Sequence, residues 1–428
     1  MRARGLSAVA LWCASCVLPN TSNASVFDTY GQSAAGIGLG NSALAGGPSA
    51  YAAYTNPAAL TASDRSELAS SLLVTQFHLQ DLPDAPGGQL PPDSSRESKA
   101  QALQGVSLGL NLKLNEQLHF GLAGYMPQGN FGRIRGLSPY QSSYLSYSEQ
   151  QQKPDIFTAI GIRLSPDWSL GLGAYYSLRA DGVLQISLNN KESEGRFDLL
   201  MEPVVVPYAG LLWAPSQQNF KVGLTYRAAQ ETKSQISSAF AFSTDDALLP
   251  FEAATSLVPF YDPALLRVGA SVHGDQTDLH FSLEQARWSA YKTPLVTLTG
   301  NDVAALSQEL SAENSGLKDT FAYRLGLSHL LPAAGDQSLQ FRGGLEYHSS
   351  ANKTGARSSV VDPARWTLAA GTSWSFAPDT LGRRLTLDAA LQHHQLEALK
   401  TQTAKGTDLR LRAGSSLQTF VGGLSYVL

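Results

Sequence analysis

Residues 168–176 read Trp-Ser-Leu-Gly-Leu-Gly-Ala-Tyr-Tyr. Apolar or aromatic residues stand at every even position of this stretch, and the odd positions hold serine, two glycines and Tyr175. A period of two residues is that of a β-strand whose two faces meet different surroundings. The same alternation recurs, for example, in 106–114, 118–126, 339–347 and 420–428. The pattern predicts an all-β protein.

The alternation marks about fourteen strands. They are 68–80, 104–115, 117–127, 154–165, 167–179, 200–213, 219–229, 264–273, 277–288, 320–331, 337–348, 364–376, 384–396 and 415–428. Short turns such as 115–117 and 165–167 alternate along the chain with long polar stretches such as 81–103 and 289–319. An even number of antiparallel strands, with short turns at one end and long loops at the other, is typical of outer-membrane barrels. We therefore predict a transmembrane β-barrel over 68–428.

The composition disfavours several other classes. Only 15% of the 428 residues are charged and the formal net charge is −4, whereas an average soluble protein is about 25% charged. No basic surface for a nucleic acid is expected from this balance. A large soluble β-sandwich or propeller is the alternative fold, but it does not explain charges of both signs at inward positions of many strands. A polar lumen does explain them: Lys113, Arg163, Lys221, Arg267, Glu284, Arg324, Arg342, Glu346 and Asp388.

Strand ends and the C-terminus also favour a membrane barrel. Aromatic residues near predicted strand ends are placed for interfacial belts: Trp168, Trp288, Tyr291, Trp366, Trp374 and Tyr426. At the C-terminus, Phe420, Tyr426 and Leu428 belong to an alternating run that reaches the last residue. We predict that the barrel-assembly machinery recognises this last strand, and that the barrel is a monomer.

The N-terminus is typical of an exported protein. Arg2 and Arg4 precede an apolar run over 6–18, and Ser22-Asn23-Ala24 supplies small residues for cleavage. This order is that of a signal peptide, which we place at 1–24. Cys13 and Cys16 are the two cysteines of the chain, and acylation of Cys16 is the alternative interpretation. The expected location is the outer membrane of a Gram-negative bacterium.

Residues 25–67 do not alternate. They are rich in glycine and alanine and include the sequence Tyr54-Thr55-Asn56-Pro57-Ala58-Ala59-Leu60. Small residues allow close backbone packing in a confined volume, and Asn-Pro favours a turn. We predict a hatch that plugs the barrel lumen, with Asn56 and Pro57 holding one of its turns. A periplasmic extension that never enters the barrel is the alternative.

The same segment resembles the hatch of the FadL/TodX family of outer-membrane transporters. The resemblance rests on the glycine-rich run 36–47, on 54–60, and on later strands such as 121–129, 222–227 and 283–291. It implies a fourteen-stranded barrel with an N-terminal hatch, and passive uptake of long-chain fatty acids or hydrocarbons. Release past the hatch or sideways into the bilayer is left open.

One long connection is more apolar than an exposed loop should be. The stretch 240–263 contains Phe251, Leu257, Val258, Phe260 and Tyr261 between two prolines. We predict an extracellular loop that captures hydrophobic small molecules at these five residues, although packing against neighbouring loops would also explain them. A surface adhesin or phage receptor, or a general diffusion porin for polar solutes, are the alternative functions. No convergent metal ligands or oriented nucleophile stand out, so neither catalysis nor a metal or cofactor is expected.

Overall fold

The chain folds as a closed antiparallel β-barrel with a helical segment inside it. The computed structural model describes residues 25–80, 82, 102–128, 143–147, 153–188, 193–243, 248–291, 316–358, 360–402 and 408–428; over 177–201 and 232–260 the description concerns the backbone. The proposed signal peptide 1–24 lies outside these residues. Among the described residues, no helix is both long and apolar enough to cross a membrane.

The described strands number twenty. They are β1 Glu67–His78, β2 Leu103–Lys113, β3 Leu118–Pro127, β4 Ser143–Tyr144, β5 Asp155–Arg163, β6 Trp168–Leu188, β7 Ser193–Trp213, β8 Phe220–Arg227, β9 Gln230–Ser243, β10 Leu248–Asp262, β11 Leu265–His273, β12 Thr277–Ala286, β13 Thr320–Pro332, β14 Ser338–His348, β15 Val360–Val361, β16 Arg365–Ser375, β17 Arg384–Leu396, β18 Leu399–Gln402, β19 Asp408–Leu411 and β20 Ser416–Val427. Within the described part of the chain, fourteen of them close the barrel in the order β1, β2, β3, β5, β6, β7, β8, β11, β12, β13, β14, β16, β17 and β20. The pairing of β1 with β20 closes the ring. The prediction of a fourteen-stranded barrel is confirmed.

Two strands extend well beyond their predicted ends. In β6 and β7, the pairing continues from Trp168↔Trp213 to Leu188↔Ser193, whereas β5 pairs with β6 only as far as Tyr176. Strand β9 joins the extended part of β6 in parallel, and β10 pairs with β9. These extensions form a four-stranded sheet beyond the barrel wall, in the order β7, β6, β9 and β10, which we call the projecting sheet.

The prediction of a loop over 240–263 is therefore wrong. Residues 230–243 and 248–262 form a hairpin, and β10 is an edge strand of the projecting sheet. Proline is tolerated at an edge because no neighbour needs its missing N–H group. Pro250 pairs with Ala241, and Pro259 lies where the register shifts between Leu257 and Phe260. The two prolines mark an edge strand with a bulge rather than a loop.

The barrel wall has an apolar outside and a mainly polar inside, as the alternation predicted. Leucines such as Leu72, Leu172 and Leu325 are exposed on the outer face, and Trp168, Trp366 and Trp374 are exposed near strand ends. Trp288 and Tyr291 do not join this belt. They are buried in a cluster with Tyr261, Leu145 and Leu317, because the chain makes a 3₁₀ turn over Trp288–Ala290 directly after β12.

Residues 25–62 lie inside the barrel. They form α1 Val26–Tyr30, α2 Ala34–Gly38 and α3 Ala52–Thr55, with 3₁₀ turns at Ser49–Tyr51 and Pro57–Ala62. Nearly all of these residues are buried, and they contact strands on most sides of the wall. We call residues 25–62 the plug.

The plug approaches the wall so closely that only glycine fits at many positions. A Cβ atom at any of nine inward glycines, each on a different strand, would lie less than 3.0 Å from a plug atom: Gly109, Gly121, Gly161, Gly171, Gly210, Gly223, Gly269, Gly326 and Gly344. Real Cβ atoms essentially never make such contacts. These nine residues, which we call the glycine belt, allow the plug backbone to lie against the strands.

Replacing one belt glycine should unseat the plug. In Gly171→Ala, the new methyl group would meet the backbone of Pro57 and Ala58, which cannot move aside as a flexible side chain can. We expect faster proteolysis within 25–62 and leakage of large antibiotics into cells, with an unchanged heat-dependent gel shift of the barrel. Gly343→Ala is the matched control, because a Cβ there meets nothing within 4 Å. A Gly171→Ala protein as closed as the control would contradict this packing.

Candidate functional site

The beginning of the plug, which we call its head, contacts one half of the barrel wall, and aromatic side chains line that half. Phe27 of α1 lies 5.0 Å from Tyr54 and 6.2 Å from Phe157, measured between ring centroids. Phe157 in turn stacks on Tyr175 at 4.4 Å. The inward residues of β1 to β7 that share this cluster are apolar or aromatic: Leu73, Phe77, Leu103, Tyr125, Phe157, Tyr175, Val206 and Tyr208. We call these residues the aromatic wall.

The opposite half of the wall carries a chain of alternating charges. Glu284 accepts hydrogen bonds from Arg267 and Arg324, and Arg324 also donates to Glu346 at 2.6 Å. Glu346 accepts from Arg365 at 3.1 Å, and Arg365 donates to the Tyr147 hydroxyl at 2.8 Å. All of these side chains are nearly or fully buried. The predicted inward position of Arg267, Glu284, Arg324 and Glu346 is confirmed.

Asp28 connects the plug to this chain of alternating charges, which we call the ionic wall. Its carboxylate accepts hydrogen bonds from Arg227, from Arg267 at 2.7 Å and from the Tyr54 hydroxyl at 2.6 Å. Burial alone would raise the pKa of the Asp28 carboxyl, but the neighbouring Arg227 and Arg267 guanidinium groups hold it below its usual value. The carboxylate is therefore charged at neutral pH and fixes the orientation of α1.

The Asn56-Pro57 turn is held between two strands. The Asn56 side chain is fully buried, and its Oδ1 atom accepts a hydrogen bond from the Ala58 N–H at 3.1 Å. Its Nδ2 atom donates to the Leu211 carbonyl of β7 at 3.2 Å. Pro57 begins a 3₁₀ turn that lies against Gly171 and Gly210. The turn thus places polar atoms and a rigid ring against the glycine belt.

Two cavities lie beside the plug. A cavity of about 30 Å³ beside Asp28 and Tyr54 has room for a few water molecules. A larger cavity of about 290 Å³ lies towards the short-turn end, between Ser71, Gln340, Arg342 and Asp388. The linings of both cavities include charged side chains, Asp28 in the first and Arg342 and Asp388 in the second.

Of the five predicted capture residues, only Tyr261 has a described side chain, and the other four are placed by their backbone. Tyr261 is buried, and its hydroxyl donates to the Arg287 carbonyl at 3.3 Å. Phe251 and Leu257 occupy alternate positions of β10 that share one face, Val258 falls in the register shift, and Phe260 pairs with Thr232 of β9. Within the described ranges, no group of three or more metal-ligating side chains converges.

Sequence reasoning missed two features of this site. The glycine belt is visible in the sequence as glycines at inward strand positions, such as Gly161 and Gly171, but the sequence does not show which plug residue each one meets. The ionic wall was visible only as separate inward charges. Its pairs arise from neighbouring strands, as in Arg267↔Glu284 and Arg324↔Glu346, and that register was unknown.

Removing the Asp28 charge should release the head of the plug. Asp28→Asn would leave Arg227 and Arg267 without this carboxylate, and breaking a buried ion pair costs about 3–5 kcal/mol. We expect faster amide hydrogen exchange over 25–38 at neutral pH, measured by mass spectrometry. Glu116→Gln breaks the Lys113–Glu116 pair on a short turn and should change nothing in this region.

Acid should have the same effect on the unmodified protein. Because folding lowers the pKa of Asp28, its contribution to stability is present above the unfolded value of about 4 and is lost as the pH falls through the folded value. Exchange over 25–38 should therefore rise only in strong acid, and the rise should be weaker in Asp28→Asn. An Asp28→Asn protein that retains the full acid response would exclude Asp28 as its source.

Comparison with known proteins gives a consistent result. A family model described as outer membrane protein transport protein (OMPP1/FadL/TodX) matches residues 15–427. Alkane uptake protein A of Marinobacter nauticus is 24% identical over 404 residues, which cover 87% of this chain and 85% of that protein.

Solved structures resemble the fold over nearly its whole length. A FadL homologue of Pseudomonas aeruginosa superposes with a TM-score of 0.59 at 16% identity, covering 92% of this chain and 98% of the other. A monoaromatic hydrocarbon channel, CymD, gives 0.56 at 15% identity, covering 94% and 98%. The toluene transporter TodX of P. putida gives 0.53 at 14% identity, covering 94% and 99%.

Proposed function

This chain belongs to the OMPP1/FadL/TodX family of outer membrane transport proteins, and we propose that it admits neutral hydrocarbons through its plugged lumen. It is a protein of the Gram-negative outer membrane, and its family consists of transporters rather than enzymes. The observation that carries the proposal is the division of the lumen into an aromatic wall and an ionic wall around one plug.

The aromatic wall is the surface along which an apolar molecule would move. A hydrocarbon that enters between the plug and this wall replaces contacts among Phe27, Phe157 and Tyr208 with similar apolar contacts. On the ionic wall, it would have to separate buried carboxylate–guanidinium pairs, and leaving one such charge unpaired is costly. The path of least resistance therefore follows the apolar side chains of β1 to β7, away from the buried Asp155 carboxylate that Tyr175 contacts.

The pairing of the buried cations favours a neutral ligand over a fatty acid. Arg227 and Arg267 contact Asp28, Arg324 contacts Glu284 and Glu346, and Arg365 contacts Glu346. Lys153 contacts Asp262, and Arg342 contacts Asp388. A ligand carboxylate would have to displace one of these partners. A hydrocarbon needs no such exchange, in keeping with the alkane named for the Marinobacter relative.

The projecting sheet supplies a capture surface in place of the predicted loop. The register places one set of β6 residues on the face of Trp168 and Tyr176, which is the lipid-facing side of the barrel. Residues at paired positions on the same face are Leu184, Ile186, Phe197, Leu199, Met201, Ile236, Phe240, Phe242, Phe251 and Leu257. The opposite face carries Arg179, Asp181, Arg196, Asp198 and Glu252. We propose that hydrophobic molecules first bind the apolar face, at Phe251 and Leu257 among others.

Capture can be tested with ligands of different length. The binding free energy of a hydrocarbon that fills an apolar surface should scale at about 0.8 kcal/mol per buried CH₂ group. A hydrocarbon shorter by two methylenes should therefore bind about fifteenfold more weakly. Phe251→Ser/Leu257→Ser should abolish this dependence in the purified protein without reducing expression. The control, Glu252→Ser/Ala254→Ser, alters the opposite face of the same strand. Unchanged affinity in the first variant would exclude the apolar face as the capture surface.

The Asn56-Pro57 turn is proposed to hold the plug closed. Asn56→Ala/Pro57→Ala removes two buried hydrogen bonds and the rigid ring, so we expect increased permeability to large antibiotics while the barrel stays folded. Asn115→Ala removes similar turn hydrogen bonds, to Gln117 and Leu118, far from the plug and should leave permeability unchanged. Equal permeability in both variants would show that this turn does not control closure.

We also propose that the protein is not a general diffusion porin and that the barrel-assembly machinery recognises its C-terminal strand. The close packing of the plug against nine strands disfavours a general diffusion porin, because a porin keeps a water-filled lumen. Recognition of Phe420, Tyr426 and Leu428 by the barrel-assembly machinery is supported by the place of Phe420 and Tyr426 on β20, which closes the barrel against β1, and of Leu428 directly after that strand.

A further inference from the structure

A buried acidic cluster surrounds the first residue of the plug. The Ser25 hydroxyl donates to Asp155 Oδ2 at 2.7 Å, and the carboxylates of Asp155 and Asp262 are completely buried. Lys153 is the cation of this cluster. Its Nζ atom lies 2.5 Å from Asp262 and 3.8 Å from Asp155. Two carboxylates and one ammonium group leave the cluster with one excess negative charge.

The cluster also has more acceptors than donors. The Tyr175 hydroxyl lies 2.6 Å from Asp155 Oδ1 and 2.9 Å from Asp262 Oδ2, but it has one proton to donate. The other carboxylate oxygen of Asp262, Oδ1, is buried without a hydrogen-bond partner. Such a group is expensive to bury. The nearby Arg227 guanidinium is already bound to Asp28. A further cation with several N–H groups would satisfy the unpartnered Asp262 oxygen and balance the excess charge.

We infer that the free α-amino group of Ser25, produced by removal of residues 1–24, is this missing cation. The nitrogen belongs to the same residue as the hydroxyl that already touches Asp155, so it lies within reach of the cluster. In the precursor it is a neutral amide with one N–H group. Hydrolysis of the Ala24–Ser25 bond adds water across it, leaves a carboxylate on Ala24, and converts the Ser25 nitrogen to an ammonium group with three N–H groups. Removal of residues 1–24 thereby completes the group of charges that holds the beginning of the plug.

The inference is tested by moving the amino group. Intact-mass analysis of the purified barrel should first show a chain that begins at Ser25. A variant with two glycines inserted between Ala24 and Ser25 would begin two residues earlier and displace the charge. We expect amide exchange over 26–38 to be at least tenfold faster in this extended protein, because an uncompensated buried charge remains.

The decisive comparison is rescue by charge removal. Asp262→Asn in the extended protein lowers the negative charge of the cluster and should restore much of the protection, whereas Asp262→Asn alone should loosen the native plug. Asp379→Asn, on an exposed short turn, is the control and should not rescue. Loss of protection that Asp262→Asn does not reverse would show steric crowding and overturn the inference, as would a mature chain that begins elsewhere.

A second measurement does not depend on the extended protein folding. The α-amine of the native barrel should resist acylation by an amine-reactive ester near neutral pH, and should react fully after the barrel is denatured. Rapid acylation in the folded barrel would overturn the inference, because a paired and buried ammonium group is unavailable to the reagent.

Discussion

The structure depends on the direct contact of the plug backbone with the backbone of the barrel strands. A fourteen-stranded barrel has room for more than side chains, and the plug fills that room only because the belt glycines remove side chains where it passes. Gly171 and Gly210 receive the Asn56-Pro57 turn, and Gly344 receives the backbone at Gly40. Interiors packed this closely transmit small changes in volume, so one added methyl group matters.

Electrostatics then decides how the plug is oriented within this close fit. Asp28 ties α1 to Arg227 and Arg267, and Ser25 ties the beginning of the plug to Asp155. Both attachments lie at the end of the barrel that carries the long connections. The remaining contacts of the plug head, through Phe27 and Tyr54, are aromatic. With charged contacts on one side and aromatic contacts on the other, the plug head can separate from the aromatic wall while the charged contacts stay fixed.

The sequence predicts the barrel well because each strand carries its own period of two, independent of its neighbours. A turn within the hatch is also predictable from the sequence, since Asn56 and Pro57 favour a turn wherever they occur. The projecting sheet is not predictable from the sequence, because β9 pairs in parallel with a strand about fifty residues earlier. The prolines of the sheet also resemble those of a loop. The sequence predicts Trp288 and Tyr291 in the outer belt, because an aromatic residue at a strand end fits either an outer belt or a buried cluster. Only the path of the following turn decides between them.

The central claim is that the plugged lumen passes neutral hydrocarbons in preference to carboxylates. It is tested most directly by measuring the transfer of radiolabelled hexadecane and hexadecanoate across vesicles that contain the purified protein, with protein-free vesicles as background. We predict transfer of hexadecane well above background and a much smaller increase for hexadecanoate, because the buried arginines of the described ionic wall already hold carboxylate partners. Equal acceleration of both compounds, or acceleration of hexadecanoate alone, would contradict the account.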